Sequence, residues 1–295
     1  MSVLENSFSR ASVKVLLRGT LHTTLQKTQY HLDNFLETKE EESLHQYRVT
    51  LRTVRSLCLE FQHFFQPKRG CALSQKLKKL QQETNEMRDI DVFLECIEAY
   101  KKRVDEACKG GLDTIENQLL LDKKRIYKKF ARQMKKKSTQ HIFNKLSDMW
   151  MHKKLYLPKS EEAFLKHIKP ILAKRLEKIE KISKHLSMES DNALFHQLRL
   201  HYKKIRYTTD SMCLENPRIK AFATTFKSLQ TALGNVQDRN TQIDRLKHYN
   251  AENNPCIGQI ITLLEEECQT FKQVCIEKSS PEAIAKIKHD FQTVF

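Results

Sequence analysis

Apolar and polar positions alternate with the period of an α-helix along most of this chain. Two stretches show the pattern most clearly, and their apolar residues fall at matching offsets. At about 100° per residue, these residues share one side of a helix. The first stretch contributes Tyr47, Leu51, Val54 and Phe61, and the second Leu198, Tyr202, Ile205 and Met212.

The opposite side of both stretches carries a histidine followed by cations at offsets +3, +7 and +10. The first set is His45, Arg48, Arg52 and Arg55, and the second is His196, Arg199, Lys203 and Arg206, beside Lys204. On a helix the four positions share an arc of about 80° and a length of about 15 Å. Each stretch is therefore predicted to be an amphipathic helix with an ordered row of cations on its polar face.

The same periodicity predicts helices throughout the chain. Their predicted bounds are 3–36, 42–65, 72–87, a fourth ending at Lys109, 112–137, 139–151, 161–187, 190–214, 218–236, 239–250, 256–277 and 281–294. Gly110-Gly111 is expected to break a helix, and Pro170 to kink or break one. With only 6 Gly and 6 Pro, a turn-rich β fold is disfavoured and an all-α fold is predicted.

The second half of the chain repeats more than the motif. His196 follows His45 by 151 residues, and Asp238 follows Asp89 by 149. We therefore predict two helical bundles, 1–152 and 153–295, joined by a linker around Pro158. Similar units in one chain are expected to pack about a pseudo-twofold axis, which would bring the motif helices face to face or onto a shared groove.

Asp89 and Asp238 have two interpretations. Each could cap the helix that follows, by accepting backbone N–H bonds. Each could instead hold a motif Arg or Lys in position across the bundle. Capping is the preferred expectation.

The charge of the chain indicates an anionic partner. It has 52 Lys+Arg against 36 Asp+Glu, a formal net charge of +16, although a solvated Lys-rich surface is the alternative. Further cations are confined to single helix faces. These are Arg125, Lys128, Lys129, Arg132 and Lys136 on the most basic stretch, and Arg10, Lys14 and Arg18 near the N-terminus.

The eight cysteines are scattered without a C-x-x-C pair, so a zinc site is not expected. With no secretory signal at the start of the sequence, a reducing cytosol is the simplest expected compartment. No apolar run approaches the roughly 18 residues that cross a membrane, so no membrane partner is expected. No cofactor is expected.

The paired motif favours binding of an external, extended anion. Arg offers a planar fork of donors for phosphate oxygens, and Lys a mobile point charge. Neither motif face has an acid at the interleaved offsets to relieve the repulsion among its cations. Histidine among cations should have a lowered pKa, so anion binding is expected to take up protons at His45 and His196 and to strengthen below about pH 7.

At these residues the sequence resembles the CHAD family, the conserved histidine α-helical domain. The resemblance rests on the doubled motif, with Lys204 and Tyr207, and on the blocks around Arg88-Asp89 and Gln237-Asp238. It implies two four-helix bundles related by a pseudo-twofold, with a basic groove or pore that binds inorganic polyphosphate and helps place the protein at polyphosphate granules. The motif cations and the Arg125–Lys136 stripe would line this pore, with Arg10, Lys14 and Arg18 as weaker candidates.

The sequence departs from the family in two respects. Glu265-Glu266-Glu267 stands where the second half would be expected to carry a cation run, so the pore is expected to be charged unevenly. No segment has the alternating Glu-x-Glu-x-Lys strands of a triphosphate tunnel domain, so no triphosphatase activity follows from the resemblance.

Two other functions remain open at this point. Nucleic-acid binding fits the charge, but the aromatic residues fall at apolar helix offsets and offer no evident stacking platform. A metal-dependent phosphohydrolase using His45 and His196 is disfavoured, because the residues at +3 and +7 are cations that would repel a metal ion. A non-catalytic polyphosphate-binding protein is the leading expectation.

Overall fold

The computed structural model describes residues 12–60, 67–151, 160–211, 217–249 and 255–295. Within these ranges the secondary structure is helical and contains no strand, which confirms the all-α prediction. Arg10 and the side chain of Lys14, two of the predicted binding residues, lie outside the part that is described.

The described ranges contain twelve helices, six on either side of residue 152. The first six are α1 (Ser12–Thr38), α2 (Glu41–Glu60), α3 (Pro67–Gln82), α4 (Asn85–Lys101), α5 (Glu106–Met134) and α6 (Lys137–Met151). The second six are α7 (Glu161–Ser183), α8 (Asn192–Ser211), α9 (Pro217–Thr225), α10 (Lys227–Tyr249), α11 (Pro255–Lys278) and α12 (Pro281–Val294). The two motifs lie on α2 and α8.

The apolar faces of α2 and α8 are buried in the core, as the periodicity predicts. Tyr47, Leu51 and Val54 on α2 are 0% exposed, and so are their counterparts on α8. Those counterparts are Leu198, Tyr202 and Ile205. Fully burying each such side chain contributes about 1.5–3 kcal/mol, so packing fixes which face of each motif helix remains available. Phe61 and Met212 lie outside the described residues.

Helix packing joins the two parts of the chain at several places. In the first part α2 packs against α1 and α3, and in the second α8 packs against α7, α9 and α10. Contacts between the two parts are made by α2 with α8, α4 with α10, and α5 with α11. The buried apolar residues of both parts form one cluster, so the motif helices are held by a shared core.

The predicted break at Gly110-Gly111 is wrong, since both glycines lie inside α5. Gly111 is a site of close packing, whereas a Cβ added at Gly110 would meet nothing within 4 Å. A Cβ added at Gly111 would lie 3.3 Å from the Cβ of Cys256 on α11. A small residue therefore allows α5 and α11 to approach each other, and tertiary contact outweighs the low helix propensity of glycine.

Another predicted boundary is also corrected. The helix expected at 218–236 is interrupted at Phe226 instead, and α10 then runs without a break through Gly234 to Tyr249. Pro170 is expected from the sequence to kink or break the helix that contains it. It lies within α7, which continues on both sides of it, so it does not end the helix.

Cys108 and Cys256 form a disulfide that links α5 to α11. No pattern in the sequence pairs these cysteines, because they are 148 residues apart and their spacing carries no signal. Cys58 is buried and free.

Among the described residues, no helix is both long enough and apolar enough to cross a membrane.

A buried ion pair connects the end of α2 to α7. Arg175 donates through Nη2 to the Glu60 carboxylate, and their side chains are only 13% and 5% exposed. Arg175 also donates through Nη1 to the backbone oxygen of Lys204 at 3.1 Å and to Thr208 Oγ1. The pair therefore holds α2, α7 and α8 together.

We expect Glu60→Leu to lower the free energy of unfolding by about 3–5 kcal/mol, because it leaves the Arg175 charge buried without its carboxylate. Urea unfolding followed by circular dichroism measures this change. The double variant Glu60→Leu/Arg175→Met removes both charges and should recover most of the stability. A double variant as unstable as the single one would show that the pair does not act in this way.

Candidate anion-binding site

The polar faces of α2 and α8 meet where the two helices pack together. The guanidinium carbon of Arg52 on α2 lies 5.2 Å from the centre of the Tyr207 ring on α8. That of Arg206 lies 5.3 Å from the same ring. Tyr207 therefore lies beside one cation from each motif, at a distance where a guanidinium is attracted to an aromatic ring.

Arg52, Arg199 and Lys203 form the centre of this surface, which we call the motif groove. Burial, reinforced by the charges of Arg199 and Arg52, lowers the pKa of Lys203 to about 6. Burial also lowers the pKa of Arg199, and Arg52 lowers it further. The cations of one motif thus act directly on those of the other, so the two rows face each other across a short distance.

Two carboxylates from other helices lie beside the motif groove. Burial raises the pKa of Asp238, while Arg199 and then Lys203 oppose the rise. Burial likewise raises the pKa of Asp89, which Arg48 opposes and the neighbouring Asp238 increases. The acids that relieve repulsion among the cations therefore come from α4 and α10.

The preferred capping role of Asp89 and Asp238 is wrong. Asp89 lies inside α4 and Asp238 in the interior of α10, so neither precedes a helix as a cap must. Thr84 is the residue at the N-cap of α4. The alternative interpretation is that each acid holds a motif Arg or Lys in position. Arg48 is close enough to Asp89, and Arg199 and Lys203 are close enough to Asp238, to lower the pKa values of these acids against the effect of burial.

Arg48 and Arg55 are held by the turn between α3 and α4. Arg48 Nη1 donates to Thr84 Oγ1 and, at 3.0 Å, to Asn85 Oδ1. Arg55 Nη1 donates to Gln81 Oε1 at 3.2 Å. Burial and the neighbouring Arg52 lower the pKa of Arg48 to about 10, so it remains charged at neutral pH. These bonds fix two guanidiniums of the first motif in one orientation.

The two motif histidines occupy different surroundings. Burial lowers the pKa of His45, and the charges of Arg88, Arg52 and Arg48 lower it further, against the opposing effect of Glu42. His196 is exposed, and its Nδ1 lies 2.6 Å from Gln237 Oε1 on α10. The predicted effect of surrounding cations on histidine is therefore present at His45.

The motif groove contains buried donors that the protein does not use. Arg52 Nε, Arg199 Nε and the hydroxyl of Tyr207 are each buried without a hydrogen-bond partner among the described residues. A buried donor without a partner costs about 1–3 kcal/mol. An anion that accepts from these groups would recover that cost and neutralise the cations around it.

The stripe predicted to line the pore is exposed along the second half of α5 and just beyond its end. Arg125, Lys128, Lys129, Arg132 and Lys136 are all exposed. Arg125 forms an ion pair at 3.2 Å with Asp122 on its own helix. Lys123 joins α5 to the helices of the motif groove, pairing with Glu41 on α2 and, at 2.7 Å, with Asp91 on α4.

The remaining predicted residues, Arg18 and Lys204, lie on different helices. Arg18 is half-buried on α1. Lys204 is exposed on the flank of α8 that faces α7, where Arg175 and Lys178 lower its pKa further than burial alone does. Tyr207, named above as part of the family resemblance, is the ring that lies beside motif cations. Lys123 is not indicated by the sequence, because its partners Glu41 and Asp91 lie far from it in the chain.

The acidic run on α11 interacts with cations outside the two motifs. Glu267 pairs with Arg239 on α10 and with Arg103, which precedes α5. Glu265 lies 3.9 Å from Lys247 on α10. Carboxylates of this run thus pair with cations of the neighbouring helix α10.

No group of three or more His, Cys, Asp or Glu side chains in the described ranges is arranged to hold a metal ion. The acids nearest the motif groove, Asp89 and Asp238, have arginines as neighbours. These surroundings suit an anion better than a cation.

Comparison with known proteins finds a matching protein family. The CHAD domain model matches residues 19–247. The fold is similar to the crystal structure of the CHAD domain from the plant Ricinus communis, with a TM-score of 0.68 and 19% identity over 99% of this chain and 94% of that one. It is also similar to PptA from Streptomyces chartreusis, with a TM-score of 0.63 and 16% identity over 96% of this chain and 98% of that one. The search of curated proteins found no match.

We expect Lys203→Met to stabilise the protein without any ligand. Between the pKa of about 6 in the folded protein and the ordinary value of 10.5, the unfolded chain binds a proton that the folded one does not. The free energy of unfolding should therefore rise with pH across this window, and each unit of the shift corresponds to about 1.4 kcal/mol. Urea unfolding between neutral and alkaline pH should show higher stability and a flatter pH dependence for Lys203→Met.

The matched control is Lys166→Met, at an exposed lysine on α7. It should leave both the stability and its pH dependence near those of the wild type. Equal behaviour of the two variants would contradict the depressed pKa of Lys203.

Proposed function

The chain belongs to the CHAD family, and we propose that it binds inorganic polyphosphate in the motif groove. One observation carries this proposal. Helices α2 and α8 hold two rows of cations against each other, with buried donors left unpaired at Arg52, Arg199 and Tyr207. A polyanion supplies acceptors for those donors and the negative charge that the groove lacks.

We further propose that residues 1–152 and 153–295 are two repeats, each supplying one wall of the groove. Helices α2 and α8 each have 20 residues and begin at equivalent positions, Glu41 and Asn192. The contacts between the two parts pair α2 with α8, α4 with α10 and α5 with α11. Contact between equivalent elements is what a pseudo-twofold axis between two repeats requires, which supports this arrangement.

The ligand that fits best is an extended chain of phosphates. The three cations of each motif span about 10 Å along the helix, at 1.5 Å per residue. A single orthophosphate cannot reach both ends of such a row. A linear polyphosphate presents oxygens at regular intervals and can bind several guanidiniums at once.

The proposed function is binding without turnover. The two carboxylates nearest the motif groove face arginines, and His45 is surrounded by cations, so no acid–base pair is arranged for cleavage among these residues. Binding of this kind would place the protein at polyphosphate granules. Incubation with long-chain polyphosphate should release no orthophosphate, with or without added Mg²⁺.

Nucleic acid is the competing ligand that shares this charge. Its recognition as a single strand relies on aromatic faces on which bases stack. Tyr207, the ring beside the motif cations in the described part of the chain, already has two guanidiniums over it. Polyphosphate should therefore displace RNA or DNA at fixed salt, whereas stronger binding of RNA or DNA would favour the nucleic-acid function.

We expect Arg52→Ala/Arg199→Ala to weaken polyphosphate binding and to reduce its dependence on salt. If the behaviour follows that of single-stranded nucleic acids, the slope of log affinity against log salt falls by about 0.7 for each phosphate that the variant no longer neutralises. Titrations of fluorescent long-chain polyphosphate at several salt concentrations measure both quantities.

The matched control is Lys166→Ala/Lys286→Ala, which removes two exposed cations from α7 and α12. Its affinity should fall much less than that of the groove variant. An equal fall in the two variants would mean that binding follows net charge and would contradict the motif groove as the site.

We expect polyphosphate binding to take up protons at neutral pH. A bound anion favours the charged forms of Lys203 and His45. The pKa of Lys203 is about 6 and that of His45 is lowered, so both can take up a proton when the anion binds. Affinity should therefore rise as pH falls toward 6. Isothermal titration in buffers of different ionisation enthalpy measures the number of protons taken up.

Lys203→Arg keeps the positive charge at this position but takes up no proton when the anion binds, because arginine is already protonated. This variant should bind polyphosphate with smaller proton uptake and weaker pH dependence. Unchanged uptake in Lys203→Arg would exclude Lys203 as its source, and His45→Gln would then report the share of the histidine.

A further inference from the structure

A second group of cations lies on the other flank of α8, where it packs against α7. It consists of Arg175 and Lys178 on α7 and His201 and Lys204 on α8, and we call it the flank cluster. Burial, then Lys204, Lys178 and Arg175, lower the pKa of His201. The four side chains are therefore close enough to act on one another.

The charge of the flank cluster is only partly neutralised. Glu60 pairs with Arg175, as described above. Lys178 and Lys204 are exposed and form no ion pair with a residue in the described ranges. A surface with two ammonium groups that pair with no acid of the described ranges is suited to an anion.

The flank cluster is continuous with the motif groove. Lys204 directly follows Lys203 of the motif groove in α8, about 100° further round the helix. Its backbone oxygen accepts a hydrogen bond from Arg175 Nη1 on α7 at 3.1 Å. Arg55 on α2 also lies near Lys204, whose pKa it lowers. Cations thus follow one another from the groove, past Arg55, to the α7 side of α8.

Resting on the proposed function above, we infer that the flank cluster is a second anion subsite that binds a further segment of the same polyphosphate chain. A chain seated between α2 and α8 can continue past Arg55 and reach Lys204 and Lys178. A short phosphate chain fills the motif groove alone. The flank cluster therefore sets a preference for long chains.

The test compares long-chain polyphosphate with tripolyphosphate in Lys178→Glu/Lys204→Glu. Both positions are exposed, so the variant should fold, which circular dichroism and thermal unfolding verify. Removing one charge-assisted hydrogen bond corresponds to about tenfold in affinity. We expect long-chain binding to weaken by about tenfold or more, and tripolyphosphate binding to change by less than about twofold.

The matched control is Lys166→Glu/Lys286→Glu, which makes the same change of charge at exposed positions on α7 and α12. It should bind both ligands nearly as the wild type does. Unchanged long-chain binding in the flank variant would overturn the inference, as would equal weakening of both ligands or an equal effect in the control. A wild-type protein that binds neither ligand would instead overturn the proposed function and the inference with it.

Discussion

The arrangement of this protein depends on holding two rows of like charges against each other. Arg52 on α2 faces Arg199 and Lys203 on α8 closely enough to lower the pKa values of both. In an isolated pair of helices this repulsion would separate them. The helices stay together because their opposite faces are buried in a common core, where residues such as Tyr47 and Tyr202 are fully enclosed. Apolar burial thus maintains an electrostatically unfavourable surface, which the proposed anionic ligand would relieve.

The surrounding helices limit that repulsion without removing it. Asp89 and Asp238 place two carboxylates beside the cations, but burial and their mutual repulsion raise the pKa of Asp89. Two acids therefore cannot offset the whole of both rows. The ring of Tyr207 gives Arg52 and Arg206 a further attractive neighbour, without adding a charge that would compete with a ligand. The groove is stabilised enough to form and still retains unpaired donors for an anion.

The sequence predicts the faces of the motif helices well, because a helix repeats with a fixed period and buried positions follow it. It predicts boundaries poorly where a neighbouring helix decides them. Gly111 lies inside α5 at a point where Cys256 of α11 approaches it, and these two residues are far apart in the chain. The same limit applies to the site. Lys123 reaches Asp91 through tertiary packing, and no local pattern connects the two.

The two motifs differ at one position in a way that bears on the charge of the groove. At offset +7 the first motif has Arg52 and the second has Lys203. A guanidinium keeps its proton in a protein, whereas an amine can lose it when burial and like charges oppose the cation. With arginine at both positions, the repulsion would be permanent. With lysine at one, the groove can give up a single charge near neutral pH. The proposed anion would restore that charge, so the same residue would relieve the free state and strengthen the bound one.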